Sequence, residues 1–135
     1  MNFDSVISTL RDRLPGMIAL YGFGSRVRDG GAQARPDSDL DLAVLVGGYA
    51  DPVGLFDLAG DLSDLTGCPV DLLDLRAASS VMQEQILMTG ERRWTNDPLR
   101  AGLVEAAMLS EKLRLDEKRR PMMEAALARE RIDGR

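Results

Sequence analysis

Asp39 and Asp41 stand two residues apart in the run Ser38-Asp39-Leu40-Asp41-Leu42. On a strand, residues so spaced point to the same side, roughly 6.6 Å apart along it. Carboxylates that close repel, and one tends to keep a proton unless a cation sits between them. A divalent ion removes the conflict, and Asp pairs together with phosphate oxygens are a usual way of holding Mg²⁺. A bare Asp-x-Asp also occurs on exposed strand edges, where it serves solubility. Three neighbours favour the chemical reading. Gly22 and Gly24 leave the backbone uncovered where an apolar run ends, and Ser25 adds a hydroxyl. Such a turn offers N–H donors to phosphate oxygens. Arg26, Arg28 and Arg35 surround the following loop with charge suited to a phosphate. Asp71, between Val70 and Leu72, completes a three-carboxylate cluster if its apolar run pairs in register with the first. Asp74 has the opposite parity and is expected to be structural.

The rest of the composition removes other chemistries. The 135 residues contain no histidine, which excludes Ser-His-Asp and Cys-His catalysis and every His-based metal site. Any divalent metal must be held by oxygen, which points to Mg²⁺ or Mn²⁺. The single cysteine, Cys68, allows no disulfide within the chain and fits a reducing compartment. Gly22-x-Gly24-x-x-Val27 lacks the third small residue of a dinucleotide-binding turn, and no Gly-Lys-Ser/Thr of a phosphate-binding loop occurs. The net charge of −5 argues against nucleic acid as the main partner. That charge is uneven: residues 111–135 hold 8 basic and 6 acidic side chains, so a mildly basic tail follows an acidic body. The start of the chain alternates charged and apolar residues, unlike a secretory signal. No apolar run approaches the ~20 residues of a membrane span, so the expected location is cytoplasmic.

These residues must be positioned by surrounding elements. Phe3, Val6, Ile7, Leu10 and Leu14 have helical spacing, ended by Pro15-Gly16. Met17–Tyr21 reads as a buried strand, Ser25–Arg28 as the start of a short helix, and residues 29–37 as a loop. A second strand runs Asp39–Val46. Asp51-Pro52 reads as a helix cap, with Leu55, Leu58, Ala59, Leu62 and Leu65 as the buried stripe and Gly67 as the stop. Asp57, Asp61 and Asp64 form the solvated side. Val70–Leu75 is a third strand. Ser80-Val81-Met82-Gln83 fits a capping box opening a helix that buries Met82 and Ile86 and runs to Gly90. Arg92–Thr95 is a short last strand. Asp97-Pro98 opens a long helix whose apolar side is Leu99, Leu103, Ala106, Ala107 and Leu113, and Pro121 is expected to kink or restart it. Met122, Met123, Ala126 and Leu127 make a last apolar face, covered by the same domain or by a partner. The expected class is α/β (α+β): a small mixed sheet of three to four strands flanked by helices. Residues 1–95 form one domain, and residues 96–135 a C-terminal helical extension.

Strand, Gly24-Ser25, basic loop, Ser38-Asp39-Leu40-Asp41-Leu42 and a third carboxylate in Val70-Asp71-Leu72 together resemble the nucleotidyltransferase fold of the DNA polymerase beta superfamily. The short length is similar to its minimal nucleotidyltransferase branch, the MntA-type antitoxins. The likeness covers residues 17–95, and the tail from Leu109-Ser110 to Gly134-Arg135 also looks like an antitoxin tail. The resemblance implies that Gly24 and Ser25 hold a nucleotide triphosphate and that Asp39 and Asp41 are ligands of two Mg²⁺ ions, with Mn²⁺ as a substitute. It implies that Asp71 helps bind the catalytic metal and favours deprotonation of the acceptor hydroxyl. It further implies ATP as donor and, as acceptor, a tyrosine of a HepT-like HEPN-domain toxin, a ribonuclease that the added AMP would block. Two other functions fit the same residues: an antitoxin that neutralises by binding alone, and a small-molecule nucleotidyltransferase. One departure stands out. Thirteen residues, Arg26 to Ser38, separate Gly24-Ser25 from Asp39, three more than the family's usual spacing. By loop-closure entropy such lengthening costs under ~1 kcal/mol.

Overall fold

The computed structural model describes residues 3–26 and 38–133. Its elements in chain order are α1 (Phe3–Arg13), β1 (Met17–Phe23), β2 (Leu40–Val46), α2 (Pro52–Thr66), β3 (Val70–Asp74), α3 (Ser80–Thr89), β4 (Glu91–Thr95) and α4 (Pro98–Asp133). Apart from the short helix expected from Ser25, each expected helix and strand of the body is present, with ends moved by a residue or two. β1 outruns its expected end at Tyr21 because Gly22 and Phe23 continue the ladder with β2. The short helix expected from Ser25 is not seen in the described part of that stretch, where Gly24, Ser25 and Arg26 form a bend and turn. Arg28, Arg35 and the loop 29–37 lie outside the described residues.

Local chemistry sets the helix ends. The Asp51 carboxylate accepts the Gly54 N–H at 3.2 Å, Pro52 occupies the first turn, and Gly67 closes α2 at φ 74°. Asp97 Oδ1 likewise accepts the Arg100 N–H at 3.1 Å ahead of α4. The cap of α3 differs from the expected box at Ser80. Ser79 Oγ accepts the Met82 N–H at 3.1 Å. Gln83, assigned in the box to the cap backbone, instead donates its side-chain amide to the Leu75 and Arg76 carbonyls at 3.0 and 3.4 Å. Those bonds tie α3 to the end of β3 and shift the cap by one serine.

The sheet has the order β3-β2-β1-β4. β1 is antiparallel to both neighbours, whereas β2 and β3 run parallel, joined by the α2 crossover. Helices cover both faces. On one, Leu20, Leu40, Leu42, Val44 and Leu72 pack with Val6 and Leu10 of α1 and Leu55, Leu58 and Leu62 of α2. On the other, Ile18, Tyr21, Ala43 and Leu45 pack with Ile86 of α3 and Ala101 and Met108 of α4. Leu65, expected on the buried stripe of α2, is half-exposed at its end instead. The charged outer strand β4 is covered by α1, with the Arg11 guanidinium over the Trp94 ring and that of Arg93 over Phe3 at 5.1 and 4.3 Å.

The long helix corrects the expected apolar side. Leu99, Leu103, Leu113 and the two alanines Ala106 and Ala107 are exposed, and the buried positions are Ala101, Met108 and Lys112, with Val104 and Glu105 half-buried. Two polar anchors choose that face. Tyr21 Oη donates to Glu105 Oε2 at 2.6 Å, and Arg92 Nη1 donates to the same oxygen at 2.7 Å. The Lys112 ammonium contacts Asp116 and lies 3.8 Å from Glu84 of α3. α4 then continues through Pro121 as one helix and does not restart there, although the proline leaves the Glu117 carbonyl without its helical donor. Residues 117–130 are exposed throughout, Met122, Met123 and Leu127 among them. No described helix is long and apolar enough to cross a membrane.

The anchor makes an asymmetric prediction. Tyr21→Phe removes one hydrogen bond while Glu105 keeps Arg92, and should cost about 1 kcal/mol in urea unfolding. Glu105→Ala strands a buried phenol and should cost more, about 2–3 kcal/mol. Equal losses would mean that Tyr21 is not held through Glu105.

Candidate active site

The parallel ladder places Leu40 opposite Val70, Asp41 opposite Asp71 and Leu42 opposite Leu72. Two carboxylates therefore sit side by side on neighbouring strands, about 4.8 Å apart across the ladder at the backbone. Alternation turns both to the face that carries Ala43, Leu45 and Leu73, while Leu40, Leu42 and Leu72 enter the opposite core. Asp39 precedes β2 by one residue and is exposed; Asp71 is exposed and Asp41 half-buried. Asp74, by contrast, is buried and accepts the backbone N–H groups of Ala50 and Arg76 at 2.8 and 3.0 Å. Its role is the structural one expected from its parity.

β1 brings the glycine turn to the same end of the sheet, because Phe23 pairs with Asp41. Gly24 follows with φ 79°, a conformation that side chains disfavour. A Cβ there would collide with Asp41 Oδ2 and lie 3.2 Å from its Cγ. The sequence suggested Gly24 as bare backbone for a phosphate. The structure adds that the missing side chain is also what lets Asp41 close against the turn. Arg26, read from the sequence as a counter-charge, donates Nε to the Ser38 carbonyl at 2.7 Å. No sequence signal pointed to that bond, since it depends on how the two ends of the loop return to each other.

The electrostatics follow from the packing. The Asp41 carboxyl is pushed up from the ordinary carboxylate value, first by burial and then by the charges of Asp71 and Asp39. Among the described residues no three acidic or cysteine side chains converge closely enough to hold a single ion. The repelling pairs Asp39–Asp41 and Asp41–Asp71 offer only oxygen donors, and a hard divalent cation would relieve that repulsion, which adds to burial in raising Asp41. The residues present thus fit Mg²⁺ or Mn²⁺ bound through pairs of carboxylates.

The sequence matches the family described as polymerase beta, nucleotidyltransferase, over residues 5–98. The chain belongs to that nucleotidyltransferase family. It is 37% identical over 94 residues to the protein adenylyltransferase MntA of Shewanella oneidensis, a match spanning 70% of this chain and 66% of that protein. A crystal structure of a toxin–antitoxin with AMP-PNP is similar at a TM-score of 0.82 and 31% identity, covering 94% of this chain and 99% of that one. The structure of a tri-AMPylated Shewanella oneidensis HEPN toxin in complex with its MNT antitoxin is similar at 0.76 and 28% identity, covering 92% and 94%. The four-stranded mixed sheet flanked by helices is therefore the polymerase-beta-like nucleotidyltransferase fold.

Two outcomes test this geometry. Gly24→Ala combines a strained φ with a clash against Asp41, and should abolish AMP-PNP binding while the fold loses only about 1–2 kcal/mol. Retained binding measured by calorimetry would mean the close approach is dispensable. The raised Asp41 pKa has a sign that stability can read. In the metal-free protein the folded state holds the proton more tightly than the unfolded state, so this group's contribution falls as pH rises through its native pKa. Asp41→Asn should therefore raise the melting temperature at neutral pH in EDTA, and the gain should vanish near about pH 3, below the ordinary carboxylate value.

Proposed function

We propose that this nucleotidyltransferase is an antitoxin that transfers AMP from ATP to a tyrosine hydroxyl of a HEPN-domain toxin and so neutralises it. The observation that carries the reading is the in-register pairing of Asp41 with Asp71, closed on one side by Gly24. The likeness to a protein adenylyltransferase and to toxin–antitoxin structures supports the donor and the acceptor class. Gly24 and Ser25 bind the triphosphate through the turn's N–H groups and the hydroxyl. Asp39, Asp41 and Asp71 are the residues that would hold Mg²⁺, in carboxylate pairs together with phosphate oxygens. Mg²⁺ held there would supply positive charge against the triphosphate and the departing pyrophosphate and would make the acceptor hydroxyl more acidic. The tyrosine oxygen attacks the α-phosphorus, the bond from that phosphorus to the bridging oxygen breaks, and pyrophosphate leaves. Asp71 favours loss of the hydroxyl proton at the attacking oxygen.

Residues 1–95 are proposed as the nucleotidyltransferase unit and residues 96–135 as an arm that meets the partner. The exposed Leu99, Leu103 and Leu113, and the protruding Met122 and Met123, support an arm with apolar surface left for another protein. ATP as donor and a ribonuclease as acceptor support a cytoplasmic location.

Incubation of the co-expressed toxin with the protein, ATP and Mg²⁺ should add one or more AMP masses to the toxin. Asp39→Ala and Asp41→Ala should each lower the transfer rate by at least about a hundredfold without unfolding the domain. Neutralisation that survives Asp39→Ala in cells would instead support an antitoxin acting by binding alone. No mass gain on the cognate partner would sink the enzymatic reading.

A further inference from the structure

We propose that Arg26 is a positioning residue: its guanidinium bridges the two ends of the loop and sets Ser25 across from Asp39. This rests on the roles proposed above for Ser25 and Asp39. The β1–β2 ladder pairs Gly22 with Leu42 and Phe23 with Asp41, and there it ends. Carried onward, the same register would set Gly24 opposite Leu40, Ser25 opposite Asp39 and Arg26 opposite Ser38. The backbone of β1 cannot continue it, because Gly24 turns into the left-handed region at φ 79°. On the other strand the Leu40 N–H is already donated to the Pro69 carbonyl at 2.8 Å. At the place where the next rungs fail, the Arg26 Nε donates to the Ser38 carbonyl at 2.7 Å. A side chain thus supplies the closure that the ladder lacks, and the residues it brackets are the proposed triphosphate hydroxyl and the outer proposed metal ligand.

The consequence concerns the unusual spacing. Residues 27–37 fall between Arg26 and Ser38 in the sequence, so a bond that joins those two residues makes the separation of Ser25 from Asp39 independent of their number. A bond of this kind, from a charged donor to a half-buried carbonyl, is strong enough to hold two loop ends against chain entropy. Three additional residues then lengthen only the stretch of chain between Arg26 and Ser38.

Two substitutions separate position from charge. Gln carries its amide nitrogen as many bonds from the backbone as the Arg Nε, so Arg26→Gln keeps the donor and loses the charge. Arg26→Met matches the length and loses both. The first readout is hydrogen exchange of the Leu40 amide in nucleotide-free protein, and the second is the affinity for AMP-PNP with Mg²⁺ by calorimetry. Arg26→Met should speed Leu40 exchange and weaken AMP-PNP by about tenfold each, the loss of one charge-assisted bond, whereas Arg26→Gln should recover both to within about threefold. Deleting Gly30, Gly31 and Ala32 from the natural sequence should leave both values within about threefold. The proposal is overturned if Arg26→Met leaves Leu40 exchange unchanged. It is also overturned if Arg26→Gln binds AMP-PNP as weakly as Arg26→Met, which would make Arg26 a phosphate counter-charge. If the natural protein itself binds no AMP-PNP, the functional reading fails, and the exchange arm still decides whether the bridge exists.

Discussion

The register of β2 against β3 is the constraint on which the rest of the molecule depends. Leu40, Leu42 and Val44 alternate with Asp41, Ala43 and Leu45, and each set has its own face. A slip of one residue would drive the Asp41 carboxylate into the α1–α2 core and turn Leu40, Leu42 and Val44 away from it, so the apolar pattern fixes the pairing. Once fixed, that pairing leaves Asp41 no choice but to stand beside Asp71. The α2 crossover is what makes the pairing parallel, and its caps at Asp51 and Gly67 set its length. The burial of Asp41 and then the repulsion from Asp71 and Asp39, which together push its carboxyl up, are therefore imposed by packing elsewhere in the sheet. The core stabilises an arrangement that the carboxylates alone would avoid.

That same imposition explains why a cation suits the site. Were the acids free to move, they would separate, and binding an ion would first have to bring them together. Here Asp41 is pinned between its strand neighbours and the bare Cα of Gly24, with the clash that a side chain would cause on one side and Asp71 on the other. The ordering is done when the chain folds, so an ion gains the relief of repulsion without that further cost. The absence of histidine narrows the choice to oxygen-seeking metals by composition alone.

Much of this was legible in the sequence because the relevant signals are local. Alternation gave β2 and β3, Asp51-Pro52 and Asp97-Pro98 gave two helix starts, and parity separated Asp71 from Asp74. The condition placed on Asp71, that its strand pair in register with β2, is met, and it sets Asp71 opposite Asp41. What stayed hidden depends on tertiary choice. Helix α4 carries apolar residues on more than one side, so periodicity could not say that Ala101, Val104 and Met108 face inward and Leu99 and Leu103 outward. Tyr21 decides it by offering a buried phenol that donates to Glu105 on α4. Ser79 and Ser80 are likewise equivalent as letters, and the bonds from Gln83 to the end of β3 select the first as the cap.

The Tyr21–Glu105–Arg92 cluster also connects the two parts of the chain. Tyr21 lies on β1 three residues before Gly24, and Glu105 lies on the inward side of the helix whose outward side is apolar and exposed. A protein seated on Leu99 and Leu103 would press on the first turns of α4, and those turns are bonded rigidly to the strand that carries the glycine turn. The strand has little freedom to yield, because β1 pairs on both edges, with β2 and with β4, and its side chains are buried on both faces. The arrangement therefore favours a partner docked against a fixed site over one that reshapes it.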